Sequence, residues 1–168
     1  MRSCRKFISV VPQNSILFSG SIKDNITYGC PRITQEVLDH AVRAARLDDV
    51  IAKLPNGIDT QVGEHGAKLS GGQRQRISIA RAIIRDPRVI IFDEATSALD
   101  SVTEKEIQQA IDNLTENRTT FIVAHRLSTI RNADKIAVIR EGRCVEYGTY
   151  DELMANKKEF YKLKQMQV

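Results

Sequence analysis

Short apolar runs rich in β-branched residues recur along the chain between segments whose apolar residues follow helical spacing. The short runs predict strands at residues 7–11, 89–92 and 119–124, because runs of this length and composition bounded by turn residues are typical of strands. Two further runs, 135–140 and 143–147, flank Glu141-Gly142 and predict a β-hairpin.

The helical segments carry recognisable start signals. Thr34 can cap the helix that follows it, and two pairs fit a capping box: Ser101 with Glu104 and Thr149 with Glu152. The predicted helices begin at Thr34, near Val50, at Ser70, at Ser101 and at Thr149. Residues 13–33, which mix Asn, Ser, Gly and Pro with scattered apolar residues, predict a loop.

This alternation of strands and helices predicts an α/β fold with a mostly parallel sheet and helices on both of its faces. Ligands of such sheets bind beyond the carboxyl ends of the strands. Asp93, Glu94 and His125 all follow predicted strands. We therefore expect these three residues to meet at one site.

The composition fits one globular domain. The chain has 168 residues, of which 42% are hydrophobic, and a formal net charge of +4. This mild excess does not indicate nucleic acid as a partner, because a solvated surface explains it equally well. Most of the densest basic residues fall on one predicted helix, where we expect a solvated face: Arg74, Arg76, Arg81, Arg85 and Arg88.

Cysteines, histidines and long apolar runs exclude several classes of protein. The three cysteines are far apart and form no CxxC motif, which favours reduced thiols. The three histidines have no metal-ligand spacing with them. The sequence contains no apolar run near the ~20 residues of a membrane span. No long apolar segment follows the basic residues 1–6, so we do not expect them to be a secretory signal.

Two segments carry the chemistry. Ser70-Gly71-Gly72-Gln73 places a glycine pair at a predicted helix start, where backbone N–H groups can bind an anion. The strand at 89–92 ends in Asp93-Glu94, which delivers two carboxylates to a sheet edge. Together the segments indicate a phosphate at one place and a hydrated Mg²⁺ ion with a general base at another.

The chain resembles the nucleotide-binding domain of ATP-binding cassette (ABC) transporters. The resemblance rests on residues 69–81 (LSGGQRQRISIAR), 89–100 (VIIFDEATSALD), 122–128 (IVAHRLS) and 10–13 (VVPQ). It implies a P-loop NTPase-like ABC ATPase core and a helical signature subdomain, here at about residues 34–86. It also implies ATP and Mg²⁺ as ligands, and ATP hydrolysis as the activity.

The resemblance assigns roles at the carboxyl edge of the sheet. Asp93 corresponds to the Walker B aspartate that holds Mg²⁺, usually through water. Glu94 corresponds to the group that polarises the attacking water. His125 resembles the switch histidine, which hydrogen-bonds the γ-phosphate and holds Glu94 in place. Gln13 resembles the Q-loop glutamine, which senses Mg²⁺ or the attacking water and couples the site to the transmembrane partner.

The resemblance also implies that the site is shared across a dimer. Ser70, Gly71, Gly72 and Gln73 match the ABC signature, which touches the γ-phosphate of ATP bound to the opposite subunit. Residues 97–100, which end in Asp100, match the D-loop, which runs along the dimer interface. A second nucleotide-binding domain is therefore an expected partner.

Two loops resemble those of exporter-type ABC proteins in particular: residues 17–26 and residues 60–66. In that subgroup the second loop touches the coupling helices of the transmembrane domains. The expected partners are therefore transmembrane domains, on the same polypeptide or from the same operon, and not nucleic acid. The expected location is the cytoplasmic face of the cell membrane.

The 168 residues contain no Gly-Lys pair and hence no G-x-x-x-x-G-K-[ST] phosphate loop. In the family this loop, with its strand and helix, precedes Gln13. We therefore expect the chain to be the C-terminal portion of such a domain, lacking the Walker A region at its N-terminal side. The isolated chain should expose apolar faces of neighbouring strands and bind ATP weakly.

Two alternatives stay open on the sequence. One is a soluble ABC-type ATPase that acts on DNA or ribosomes. Such proteins carry the same motifs, but long charged coiled coils or basic insertions would be expected, and the exporter-like loop at 60–66 would not. The other is a non-catalytic remnant, which could only lend its signature motif to a partner.

Overall fold

A computed structural model describes residues 7–93, 101–124 and 127–166. The chain forms two compact units, one reaching to Val123 and the other starting at Ala124. These two units do not test the helical subdomain predicted at residues 34–86, which stays a prediction. None of the helices in the described ranges is both long and apolar enough to cross a bilayer.

The first unit contains a three-stranded parallel sheet. Its strands β1 (Ile8–Val11), β2 (Val89–Asp93) and β3 (Thr119–Val123) lie in the order β1-β2-β3. Val11 pairs with Phe92, and Phe92 pairs with Ile122. The three strands predicted from the sequence are confirmed, as is their parallel pairing.

The two faces of this sheet differ in exposure, because successive side chains of a strand point to opposite faces. On one face Val11, Ile90 and Phe92 are at most 1% exposed. On the other face, Val10 is 57% and Phe121 is 59% exposed. The expected uncovered apolar face of the strands is therefore present in the structure.

The described residues of the first unit also form five α-helices: α1 (Ile22–Ile26), α2 (Gln35–Ala44), α3 (Asp48–Ala52), α4 (Gly71–Ile83) and α5 (Ser101–Thr115). Helix α4 packs against α1, α2, α5 and β1. The predicted cap at Thr34 is confirmed, since its side chain accepts a hydrogen bond from the Val37 amide. Between α3 and α4 the chain forms two short 3-10 turns, Gly57–Asp59 and Glu64–Gly66.

Helix α1 corrects the prediction of a loop over residues 13–33. Ser21 and Asp24 form a capping box, in which the Ser21 amide donates to the Asp24 carboxylate and the Asp24 amide donates to the Ser21 hydroxyl. Ile22 and Ile26 are fully buried. The helix has only five residues, so helical periodicity could not reveal it, and its one local signal is the Ser-x-x-Asp spacing.

The expected solvated arginine face of helix α4 is also wrong. The helix is buried on most of its circumference, and Arg76 is only 6% exposed. Its guanidinium donates to the Arg46 carbonyl at 2.7 Å and pairs with Glu106 at 2.9 Å. Arg85 and Arg88 remain exposed, as predicted.

The described residues of the second unit form a short 3-10 helix (Leu127–Ile130), a β-hairpin and two short α-helices. Strands β4 (Ile136–Arg140) and β5 (Arg143–Gly148) pair antiparallel, which confirms the predicted hairpin. The predicted C-terminal helix is two helices, α6 (Tyr150–Asn156) and α7 (Glu159–Gln165), because Lys157 adopts a left-handed conformation between them with φ of 51°. Its apolar core comprises Leu127, Ile136, Val138, Leu153 and Phe160.

Candidate functional site

The signature segment lies at the start of α4 and is shaped by a capping box. The Ser70 hydroxyl accepts from the Gln73 amide at 3.2 Å, and the Gln73 side chain accepts from the Ser70 amide at 2.9 Å. Ser70 itself has extended backbone angles, as a helix N-cap residue does. The local sequence therefore fixes where the helix begins and which way its first turn faces.

The geometry suits an anion. The first amides of an α-helix have no carbonyl partner within the helix, and the helix dipole adds partial positive charge there. Helix α4 has 13 residues, and its first residue, Gly71, is exposed. The absence of a side chain at Gly71 lets a phosphate oxygen approach the backbone closely.

Gly72 has a different role from its neighbour. It is buried against α5, and a Cβ atom added there would lie 2.1 Å from Cγ2 of Thr103. Real Cβ atoms do not approach other atoms so closely, so the packing of α4 on α5 requires glycine at this position. From the sequence, both glycines are predicted to let a phosphate approach the backbone. Nothing in the sequence indicates that Gly72 must also pack against α5.

The carboxyl ends of the three parallel strands meet at one edge of the sheet. Asp93 ends β2 and pairs in register with Val123, the last residue of β3. Gln13 follows the end of β1 by two residues and is exposed, as is Asp93. The structure thus places Asp93 and Gln13 at the ends of adjacent strands.

The remaining predicted site residues lie outside the described residues. They are Glu94, Asp100 and His125. Glu94 directly follows Asp93, and His125 follows Val123 by two residues, so in sequence both extend from strand ends on the same edge. Their roles stay predictions.

The donor atoms at this edge fit Mg²⁺. The ion prefers oxygen ligands and keeps several waters, so one carboxylate with a nearby amide oxygen is an adequate protein contribution. Asp93 supplies the carboxylate and Gln13 the amide. Within the described ranges, no group of three or more His, Cys, Asp or Glu residues could hold a metal ion by itself.

The loop that carries Gln13 is attached to helix α4. The Ser15 hydroxyl donates to the Gln75 side chain at 2.5 Å. The Gln75 amide nitrogen faces the Pro12 carbonyl oxygen at 3.5 Å. The sequence did not single out Gln75, because a glutamine inside a helix has no local signal of burial.

Arg81 forms a second attachment of helix α4, to residues 16–25. Its guanidinium donates to the backbone carbonyl of Asn25 at 2.8 Å and to that of Ile16 at 3.2 Å. It also lies 5.3 Å from the ring centre of Phe18. Burial lowers the pKa of Arg81 from its ordinary value, and the positive charge of Arg85 lowers it further, but an arginine remains charged.

The two exporter-like loops form one continuous surface. The Ile22 amide donates to the Thr60 carbonyl, and the Val62 amide donates to the Gly20 carbonyl, both at 3.0 Å. Beside this seam the rings of Phe18 and Tyr28 stack at 4.3 Å, and both are about half exposed. Backbone hydrogen bonds therefore join the two loops, and the first loop contributes Phe18 to a half-exposed aromatic pair with Tyr28.

A signature helix, a strand-end aspartate and a glutamine after the neighbouring strand, on a parallel sheet, define an ABC-type ATPase fold. The family model described as "ABC transporter" matches residues 1–97. The chain belongs to the ABC transporter family.

Individual relatives agree with this assignment. The chain is 52% identical over 165 residues to an ATP-dependent lipid A-core flippase from Desulfotalea psychrophila, and 50% identical over 162 residues to the ABC transporter ATM1 from Toxoplasma gondii. These alignments cover 98% and 96% of this chain, but 29% and 14% of the relatives. The chain therefore spans less than a third of their length.

Solved structures include one with closely similar coordinates. It is that of a bacterial Atm1-family ABC exporter with ATP bound, with a TM-score of 0.90 and 41% identity. The match covers 98% of this chain and 29% of the exporter chain. The α/β fold with its signature helix is thus the fold of an ABC ATPase core.

Proposed function

We propose that this chain forms part of the nucleotide-binding domain of an exporter-type ABC transporter, in which ATP binding and hydrolysis power transport. The observation that carries the proposal is the backbone match to the Atm1-family exporter over 98% of the chain. Two further observations support it: the Ser70–Gln73 capping box lies at the start of α4, and Asp93 lies at the end of β2.

The proposed division of labour follows the strand ends. Asp93 and Gln13 provide oxygen atoms toward Mg²⁺, which when bound would neutralise charge on the phosphates. Glu94 accepts a proton from the attacking water, and His125 hydrogen-bonds the γ-phosphate. Asp100 is the last residue of the D-loop, which contacts the second nucleotide-binding domain.

The signature segment would act on a second subunit. The exposed start of α4, with Gly71 at its first position, presents amides and the Ser70 hydroxyl to the γ-phosphate of ATP held by the partner domain. Hydrolysis would then require two nucleotide-binding domains. Residues 34–86 would form the helical subdomain that carries this segment.

The proposed partner on the membrane side is a pair of transmembrane domains. The joined loops support this, because the stacked and half-exposed rings of Phe18 and Tyr28 beside them offer an apolar contact surface. The protein would then lie at the cytoplasmic face of the membrane, and the proposed partners include no nucleic acid.

The test uses a chimera in which residues 7–166 replace the aligned segment of the Desulfotalea psychrophila flippase. The purified chimera in lipid vesicles should hydrolyse Mg-ATP at a rate comparable to that of the unaltered flippase. Glu94→Gln should lower this rate by roughly 10²-fold or more while ATP binding persists, because only proton acceptance is removed. An inactive chimera beside an active flippase would favour the non-catalytic alternative.

A further inference from the structure

Gln75 is a buried polar residue of helix α4. It is 4% exposed and lies two residues after the signature segment. Burying an amide is unfavourable unless hydrogen bonds replace those lost to water. The location of its partners therefore indicates what the residue does.

The partners of Gln75 lie on either side of Gln13. Its carbonyl oxygen accepts from the Ser15 hydroxyl at 2.5 Å, two residues after Gln13. Its amide nitrogen faces the Pro12 carbonyl at 3.5 Å, the residue immediately before Gln13. A single side chain thus spans the turn that presents Gln13 at the sheet edge.

The carbonyl and amino groups of the Gln75 side chain each suit their hydrogen-bond partner. A hydroxyl can donate and a carbonyl can only accept, and a glutamine side chain supplies one acceptor and one donor to suit them. The contact joins residues about 60 positions apart in sequence, which makes it a tertiary link between the strand-end loop and helix α4.

We infer that Gln75 is a positioning residue that holds the Gln13 loop to the signature helix, so that the two move as one body. The inference rests on the proposed function. Displacement of Gln13 at the Mg²⁺ edge would then displace the Ser70–Gln73 segment, which acts on the ATP of the partner subunit. One chain would in this way link its own site to that of its partner.

The first experiment measures the link itself in the 168-residue chain. Amide hydrogen exchange should become at least about 5-fold faster across residues 12–18 in Gln75→Met, because a hydrogen bond worth about 1 kcal/mol is lost while volume is kept. Exchange within Ile77–Ile83 should stay unchanged. Unchanged exchange across residues 12–18 would overturn the inference.

The second experiment measures the consequence in the flippase chimera. Gln75→Met should lower kcat for ATP about 10-fold or more and leave KM within about twofold, because misplaced groups slow the reaction more than they weaken binding. Ser15→Ala should have a smaller effect in the same direction. Gln35→Met, which removes an exposed amide bonded to Asp39, is the matched control and should not change the rate.

A cycle with Gln13→Ala separates positioning from general destabilisation. If Gln75 acts through Gln13, the Gln13→Ala/Gln75→Met double variant should be no slower than Gln13→Ala alone. Equal losses from Gln75→Met with and without Gln13 would overturn the inference. An inactive parent chimera would instead count against the proposed function, and the exchange measurement would still decide the link.

Discussion

Gly72 of the signature segment packs so closely on Thr103 of α5 that no side chain fits between them. A Cβ at Gly72 would lie 2.1 Å from the Thr103 methyl carbon and 3.7 Å from Cδ1 of Ile107. Helix α5 starts directly after the segment that matches the D-loop. The contact therefore ties the start of the signature helix to the helix that follows Asp100.

Gly72→Ala should destabilise the fold by about 1–3 kcal/mol, since overpacking forces backbone shifts or strained rotamers. Gly71→Ala should be neutral or slightly stabilising, because Gly71 is exposed and alanine favours helix formation. Urea unfolding of the two variants beside the parent measures both effects.

A compensating change sharpens this comparison. Thr103→Ser removes the methyl carbon that clashes and keeps the hydroxyl, so it should recover most of the stability lost in Gly72→Ala. If Gly72→Ala and Gly71→Ala have the same stability, the close contact with Thr103 is not what requires a glycine.

Arg76 provides a second comparison, between a buried and an exposed arginine. Its guanidinium donates to the Arg46 carbonyl and pairs with Glu106, in a site that is 6% exposed. Arg76→Lys should cost about 1–3 kcal/mol, because a lysine in this buried position cannot reproduce the planar geometry that contacts both the Arg46 carbonyl and Glu106. Thermal melts should show Arg43→Lys, at an exposed position, within about 0.5 kcal/mol of the parent. Equal melting temperatures for the two variants would contradict the role given to Arg76.

Arg76 and the helix caps differ in how far the sequence predicts them. Thr34 and Thr149 are predicted as caps because a cap involves residues three positions apart, which the sequence displays directly. The burial of Arg76 depends on Arg46 and Glu106, each 30 residues away along the chain. No local pattern encodes such a partner.

The same difference between local and long-range features applies to the candidate site. Asp93 and the start of α4 were located from the sequence, since a strand end and a helix N-terminus are local features. The Thr103 contact of Gly72 and the Ser15 bond of Gln75 were missed, because both join distant elements. Helix α1 was missed for its length of five residues, which is too short for an amphipathic period.

The capping carboxylate of Asp24 makes stability depend on pH. A hydrogen bond from the Ser21 amide, followed by one from the Ser21 hydroxyl, holds the pKa of Asp24 below its ordinary value of 3.8. A lowered folded-state pKa contributes stability that is fully present above 3.8 and is lost as the pH falls through the folded value.

Asp24→Asn should therefore destabilise the chain near neutral pH and lose this difference from the parent in acid. Urea midpoints of parent and variant at about pH 7 and about pH 3 measure the change, and the gap should narrow at the lower pH. Because Asp24 is exposed, the gap should be small. A gap of constant size at both pH values would show that the carboxylate charge does not stabilise the cap.

The uncovered face of the sheet leads to the last prediction, which compares two adjacent valines on β1. Val10 is 57% exposed and Val11 is fully buried, because their side chains point to opposite faces of the strand. Val10→Thr should reduce the binding of an apolar-surface dye and change the melting temperature little. Val11→Thr should cost about 1–3 kcal/mol, since it buries a hydroxyl in an apolar site, which for a chain of this size is a fall of roughly 2–4 °C for each kcal/mol.

Phe121→Thr tests the same face from β3. Phe121 is 59% exposed and pairs in register with Ile91, which in turn pairs with Val10, so the three residues form a row across the sheet. Combining Val10→Thr with Phe121→Thr should lower dye fluorescence further than either change alone and should also slow aggregation, because the apolar patch shrinks. If neither Val10→Thr nor Phe121→Thr changes dye binding, the dye binds elsewhere and this face of the sheet is covered in solution.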